Sequence, residues 1–201
     1  MKQNNFVADQ PAECSAPVES GDRLRGRDME AWDLYTKDRE RTGKIIHRGE
    51  VIPEGMYRLV VHVSVFNHAG ELLIQKRQTK KNRWPGLWDL SIGGHVIAGE
   101  TTRQAGEREM LEELGYRISL SDKRPALTLT FGNGFDDMYT LEADIALDEL
   151  TLQEDEVSEV KWATKDEVMK MIDDEIFIPY QKGLIELLFF LRNHSEAHTK
   201  L

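Results

Sequence analysis

Three glutamates, Glu109, Glu112 and Glu113, crowd into the stretch from Gly94 to Tyr116. On a helix of about 3.6 residues per turn, the i, i+3 and i+4 positions share one side. The spacing therefore predicts three carboxylates projecting together. On an exposed helix such crowding costs roughly 0.2–0.5 kcal/mol per pair, and Arg108 is a single compensating charge. A hard divalent cation, held by carboxylate and carbonyl oxygens and shared with substrate phosphates, turns that crowding into a site. The bland alternative is a solvated acidic helix face. In the functional reading, bound metal neutralises phosphate oxygens and lowers the pKa of a bound water. A neighbouring carboxylate whose own pKa is raised by crowding then takes the proton, with Glu112 and Glu113 as candidates.

The element that must position these groups is a helix. Gly99 and the Thr101-Thr102 pair suit its start, where a hydroxyl accepts from free backbone N–H groups. Good helix formers run to Leu114, and Gly115 is a natural stop. Met110, Leu111 and Leu114 fall on the adjoining side and are expected to face a core.

The flanks sharpen this. Gly94, Glu100, Arg108-Glu109, Met110, Glu112-Glu113, Gly115 and Tyr116 resemble the Nudix hydrolase signature at every defined position. The resemblance implies a loop–helix–loop that binds Mg2+ or Mn2+ and hydrolyses a diphosphate joined to another moiety. It implies Glu109, Glu112 and Glu113 as the main metal ligands. Arg108 would orient them, while Glu100 and the Gly94 carbonyl would support the loop or the metal. In several members an acidic residue shortly before a Trp approaches the metal; before Trp162, Glu156 fits best and Glu159 is the alternative.

Upstream, RLVVHVSVF (58–66) is the most β-branched segment and ELLIQKR (71–77) its return, expected to pair as a central antiparallel hairpin. WDLYT and KIIH within 31–49 read as another hairpin. A basic loop follows the return strand. Lys80, Lys81 and Arg83 are ordinarily just solvated, but here one of them, with Lys76 or Arg77, is placed to meet a phosphate. Trp88 reads as packing; Trp84 is open to either packing or stacking on a planar leaving group. Downstream, strands are expected over 125–133 and 138–146, joined by a loop at 134–137 that would act as a lid, with Phe135 a candidate substrate contact. A strand over 157–164 and helices over 165–172 and 180–193 complete the chain. Leu184, Leu187, Leu188 and Leu191, with Phe189 and Phe190, are expected in the core of the last helix.

Mixed strands and helices indicate an α+β or α/β class. The Nudix resemblance implies an α/β/α sandwich with a mixed central sheet. WPGLWDLSIGGH and the strands before it are similar to the branch related to isopentenyl-diphosphate isomerase. Those isomerases use a Cys where this chain has Ser91, Ile92 and Gly93, so an isomerase is the weaker alternative. A binding module without turnover is the other, and an intact signature argues against it. His95 matches a metal-binding His of the isomerases, or is a loop His bonded to backbone.

The chain has 201 residues, 40% hydrophobic and 31% charged, with a formal charge of −10. One domain over 29–201 behind a flexible tail at 1–28 is expected. The charge argues against a nucleic acid polymer or an anionic membrane as partner; the Nudix resemblance implies a small-molecule diphosphate as substrate and a possible homodimer. No apolar run reaches bilayer length, no signal-peptide core is visible, and Cys14 stands alone. A cytoplasmic protein is expected.

Overall fold

The computed structural model describes residues 30–194 and 198. The expected tail over 1–28, with Cys14, lies outside them. Strands β1 (Ala31–Tyr35) and β2 (Arg41–His47) form an antiparallel hairpin of their own, as the alternation in WDLYT and KIIH requires. Trp32, Leu34 and Ile46 are buried there against Ile52, Met56 and Ile97.

The main sheet holds seven strands: β3 (Arg58–Phe66), β4 (Leu72–Arg77), β5 (Trp88–Asp89), β6 (Ile92–His95), β7 (Leu127–Phe131), β8 (Gly134–Glu142) and β9 (Val157–Ala163). β3 and β4 turn back on each other as expected, but pair only at Phe66 with Leu72 and then splay. β6 takes the freed edge of β3 from Val60 to Val63, and β5 that of β4 at Gln75 and Lys76. Ser91 holds the fork. Its buried hydroxyl donates to the Leu73 carbonyl at 2.6 Å and accepts from the Val65 N–H at 2.9 Å. The parting strands thus keep their backbone groups satisfied where they lose each other.

On the far edge of β3, β8 runs parallel over the whole of Arg58–Phe66. This overturns the expected lid. Residues 134–137 are the first turn-free residues of β8, and the turn is Gly132-Asn133. Two aspartates tolerate the strand because both are satisfied within it. Asp136 bonds His62 at 2.9 Å, and Asp137 accepts from Arg39, Thr102 and Thr128.

Helix α1 (Thr102–Leu114) covers one face of the sheet. Met110 and Leu114 are buried against Val61, Val63 and Leu73, contributing about 1.5–3 kcal/mol each. Gly106 permits the close approach, since a Cβ there would stand 3.0 Å from both Val63 and Leu120 side chains. Helices α2 (Lys165–Asp173) and α3 (Lys182–Leu191) cover the other face, over Phe66, Ile74, Leu90 and Met138. The result is the expected mixed sheet between helices. Three apolar assignments differ. Leu111, Leu187 and Phe190 are 36%, 42% and 53% exposed. In α3, Ile185 and Leu188 take the inward positions, and Leu187 and Phe190 are rotated away from that pair. Among the described residues, no helix is long and apolar enough to cross a membrane.

Candidate active site

Thr101 caps α1 through a reciprocal box: its hydroxyl accepts from the Gln104 N–H, and the Gln104 side chain accepts from the Thr101 N–H at 2.9 Å. Gly115 ends the helix at φ 68°, a conformation that suits glycine. Between these caps, Glu109 and Glu113 are turned inward with Met110 and Leu114.

Two carboxylates are therefore buried against the sheet. Glu113 accepts from Gln75 Nε2 in β4 at 2.9 Å. Glu109 lies on Gly94 of β6, where any Cβ would overlap the carboxylate. Arg108 ties the neighbourhood together. Its Nε and Nη2 reach the two Glu100 oxygens at 2.9 and 3.1 Å. Nη1 donates to Glu109 at 2.8 Å and to Glu112 at 3.2 Å, and Nη2 to the His95 carbonyl at 3.0 Å. Glu100 also accepts from the Ile97 N–H at 3.3 Å. With both oxygens engaged, it supports the loop.

Glu112 differs from its neighbours. Its side chain is 49% exposed and touches Arg108 at the surface. The anticipated convergence of three carboxylates is thus a buried pair with the third at the rim. Among the described residues, no three His, Cys, Asp or Glu side chains stand together as a ready ligand set.

Burial first, and then Glu112, push the Glu109 carboxyl up to about 7 against the pull of Arg108. Burial first, and then Glu109, push Glu113 up to about 8, with Gln75 opposing. Two crowded, desolvated carboxylates beside one guanidinium are short of positive charge. Their hard oxygens, with Gly94 lying against Glu109, are the donor chemistry that a hard divalent ion takes. The residues fit such an ion.

The other candidates divide. Glu156 is ion-paired with Lys81, and its segment docks on the end of α1 through Gln153 N–H to the Glu113 carbonyl at 2.9 Å. Arg77 donates to Asp89 at 3.3 Å and to the Arg83 carbonyl at 3.4 Å, and Asp89 also accepts from the Tyr180 hydroxyl at 2.8 Å. Lys76 alternates to the opposite face from Gln75, over the Trp88 ring at 5.8 Å, and meets Glu159 at 3.7 Å. Neither Lys76 nor Glu159 is on the carboxylate side. Trp84 is 42% exposed at the loop. Phe135 is a strand residue buried against Tyr57 and under Arg39 at 5.3 Å, so it packs instead of lining a lid.

Gln75 was not anticipated. Its one signal is a polar residue in the same strand phase as Leu73, where an apolar side chain would otherwise face the core. The sequence carries no comparable signal for His62, which is bonded to Asp136, and for Asp89 only its place in WPGLWDLSIGGH.

The sequence matches the profile of the NUDIX domain over residues 56–181. The chain belongs to the Nudix family. An uncharacterised Nudix hydrolase of Listeria monocytogenes is 45% identical over 170 residues, which span 85% of this chain and 99% of the relative. The crystal structure of DR0079 from Deinococcus radiodurans superposes with a TM-score of 0.62 at 28% identity, covering 79% of this chain and 97% of that one. An isopentenyl-diphosphate Delta-isomerase of Pectobacterium atrosepticum is 30% identical over 132 residues, 66% of this chain and 65% of the isomerase.

As a Nudix-type diphosphohydrolase, this chain offers no thiol at the place the isomerases use one. Ser91 is committed to the strand fork, and a Cβ at Gly93 would overlap the His62 ring. His95 has its ring stacked on Trp32 at 4.3 Å. Burial, then Arg58 and Arg48, push that imidazole down to about 3, so it is neutral.

Proposed function

We propose that this Nudix protein hydrolyses a small-molecule diphosphate linked to another moiety, in a reaction that depends on Mg2+ or Mn2+. The observation that carries the reading is the buried Glu109–Glu113 pair, walled by Gly94 and Gln75 where β3 and β4 part. Glu109 would hold the ion, with Glu112 and the Gly94 carbonyl at its edge and Glu113 beside it. Once bound, it supplies charge neutralisation for the diphosphate and a water of lowered pKa.

The protein's own groups do the rest. Arg108 keeps Glu109 and Glu112 in place through charge-assisted bonds. Gln75 fixes one oxygen of Glu113 and leaves the other to accept a proton from the attacking water. Glu113 is the preferred base, because Gln75 engages only one of its oxygens and no cation bonds it directly among the described residues. Glu156, tied to Lys81, is assigned to holding the basic loop against the end of α1. Arg77 and Lys81, at that loop's root, would meet the diphosphate. The missing thiol and the blocked position at Gly93 weigh against isomerisation.

The test is a panel of diphosphate compounds incubated with each metal and assayed for released phosphate or monophosphate. Glu113→Gln should lower kcat by about a hundred-fold or more, the scale of a lost general base. Glu156→Gln should change it less than ten-fold, on the order of a lost supporting bond. Equal losses in the two variants would reassign the base. No turnover of any compound by the wild type would reject the hydrolase reading.

A further inference from the structure

Strand alternation sorts β3 into two faces. Leu59, Val61 and Val63 point toward α1, so Arg58, Val60 and His62 point the other way. α2 and α3 cover this second face over Phe66, Ile74 and Met138, but the end bearing Arg58 has a different neighbourhood. There the Arg58 guanidinium lies 5.2 Å from the Trp32 ring centre and 5.7 Å from that of Phe131. Trp32 in turn stacks on His95, which is the register partner of Val60 and follows Gly94 directly.

Arg58 is half-buried, and among the described residues no carboxylate pairs with it. Its Nε is out of reach of solvent and donates to nothing, and the same is true of Trp32 Nε1 beside it. A desolvated cation without an acceptor is costly, and such groups are ordinarily paired. The aromatic faces offset part of that cost and satisfy no N–H. Burial first, and then the exposed Arg83 of the basic loop, hold the Arg58 proton affinity down. In a chain of net charge −10, a local excess of cations has to be built.

We propose that Arg58 anchors an anionic phosphoryl oxygen on the substrate's second moiety, so that the preferred substrate carries a phosphate group besides the diphosphate at Glu109 and Glu113. Arg58 and the carboxylate pair lie on opposite faces of the sheet, with the Gly93-Gly94-His95 backbone between them. One phosphate cannot serve both. A substrate reaching past that glycine edge presents its far end to Arg58, with Arg83 adding positive charge from the basic loop. The inference rests on the diphosphohydrolase reading for what occupies the near end.

The experiment uses the full-length protein with divalent ions chelated, so that hydrolysis plays no part. Inorganic phosphate is titrated while the indole N–H resonance of Trp32 is followed by NMR. Saturable binding is expected, weakened about ten-fold or more in Arg58→Gln, the loss of a charged hydrogen-bond partner. Arg58→Lys should retain part of it, and Arg83→Gln, at an exposed position, should weaken it several-fold without touching the core. No saturable phosphate binding in the wild type overturns the proposal. So does unchanged affinity in Arg58→Gln, or in Arg83→Gln should Arg58→Gln fail to fold. Failure of the hydrolase panel leaves this titration readable, and the reverse also holds.

Discussion

Gln75 Nε2 donates to Glu113 Oε2 at 2.9 Å, joining the middle of β4 to the last turn of α1. The other Gln75 atom, Oε1, is buried without a partner among the described residues. The amide is thus held for the carboxylate alone. It fixes which Glu113 oxygen faces the sheet.

Replacing Gln75 with Leu tests that role. The fold should lose about 1–3 kcal/mol, because the buried Glu113 carboxyl is left without its donor, offset in part by removal of the unpaired Gln75 Oε1. Catalysis should fall about ten- to a hundred-fold, as when a group supporting a metal ligand is removed. Thermal denaturation and kcat, measured on the same preparation, check the split.

Arg108→Lys should be costly even though the charge is kept. A lysine ammonium cannot reach Glu100, Glu109, Glu112 and the His95 carbonyl at once as the planar fork does. With two charged hydrogen bonds lost, and allowing for the partial exposure of the site, destabilisation of about 2 kcal/mol is expected. At roughly 2–4 °C per kcal/mol for a domain of this size, Tm should drop by about 4–8 °C. A Tm within a degree of wild type would show that the network holds nothing.

Stability of the chelated protein should depend on pH in the direction opposite to an ordinary salt-bridged carboxylate. Glu109 and Glu113 are raised to about 7 and about 8 in the fold, above their ordinary value of 4.5. Between the unfolded and folded pKa values the native state binds more protons, so stability falls as pH rises. It should be fully present below about pH 4.5 on this account and be lost through pH 7–8. Glu113→Gln should flatten the decline, and saturating Mg2+ should lift the alkaline end. Thermal melts from pH 5 to 9, with and without Mg2+, read both effects; a flat wild-type profile would contradict the burial argument.

Gly94→Ala is predicted to act on chemistry more than on folding. The added methyl would occupy the space of the Glu109 carboxylate, which must swing aside. Stabilisation by Mg2+ should weaken at least ten-fold in apparent affinity, as expected when a ligand is misplaced. Gly99→Ala, with open space around its Cβ but a φ of +92°, is the control for backbone strain alone.

The spacing of Glu109, Glu112 and Glu113, the Thr101 cap and the Gly115 stop are local properties. A helix with carboxylates on one side, between a loop and a turn, follows from nearest-neighbour geometry, and so was determined by the sequence alone. The β-branched run of β3 and the leucine-rich run of β4 were legible for the same reason. Which strand lies beside which was not. β8 and β3 pair in parallel across sequence-distant segments, so local signals read 134–137 as a turn where the sheet demanded a strand. The rotation of α3 that exposes Leu187 and Phe190 likewise depends on what the helix meets. Above all, the fork between β3 and β4 decides the site. It brings Gln75 to Glu113 and Gly94 to Glu109, and leaves Arg58 on the opposite face. Burial and long-range pairing set those relations, and both exist only once the chain has closed on itself.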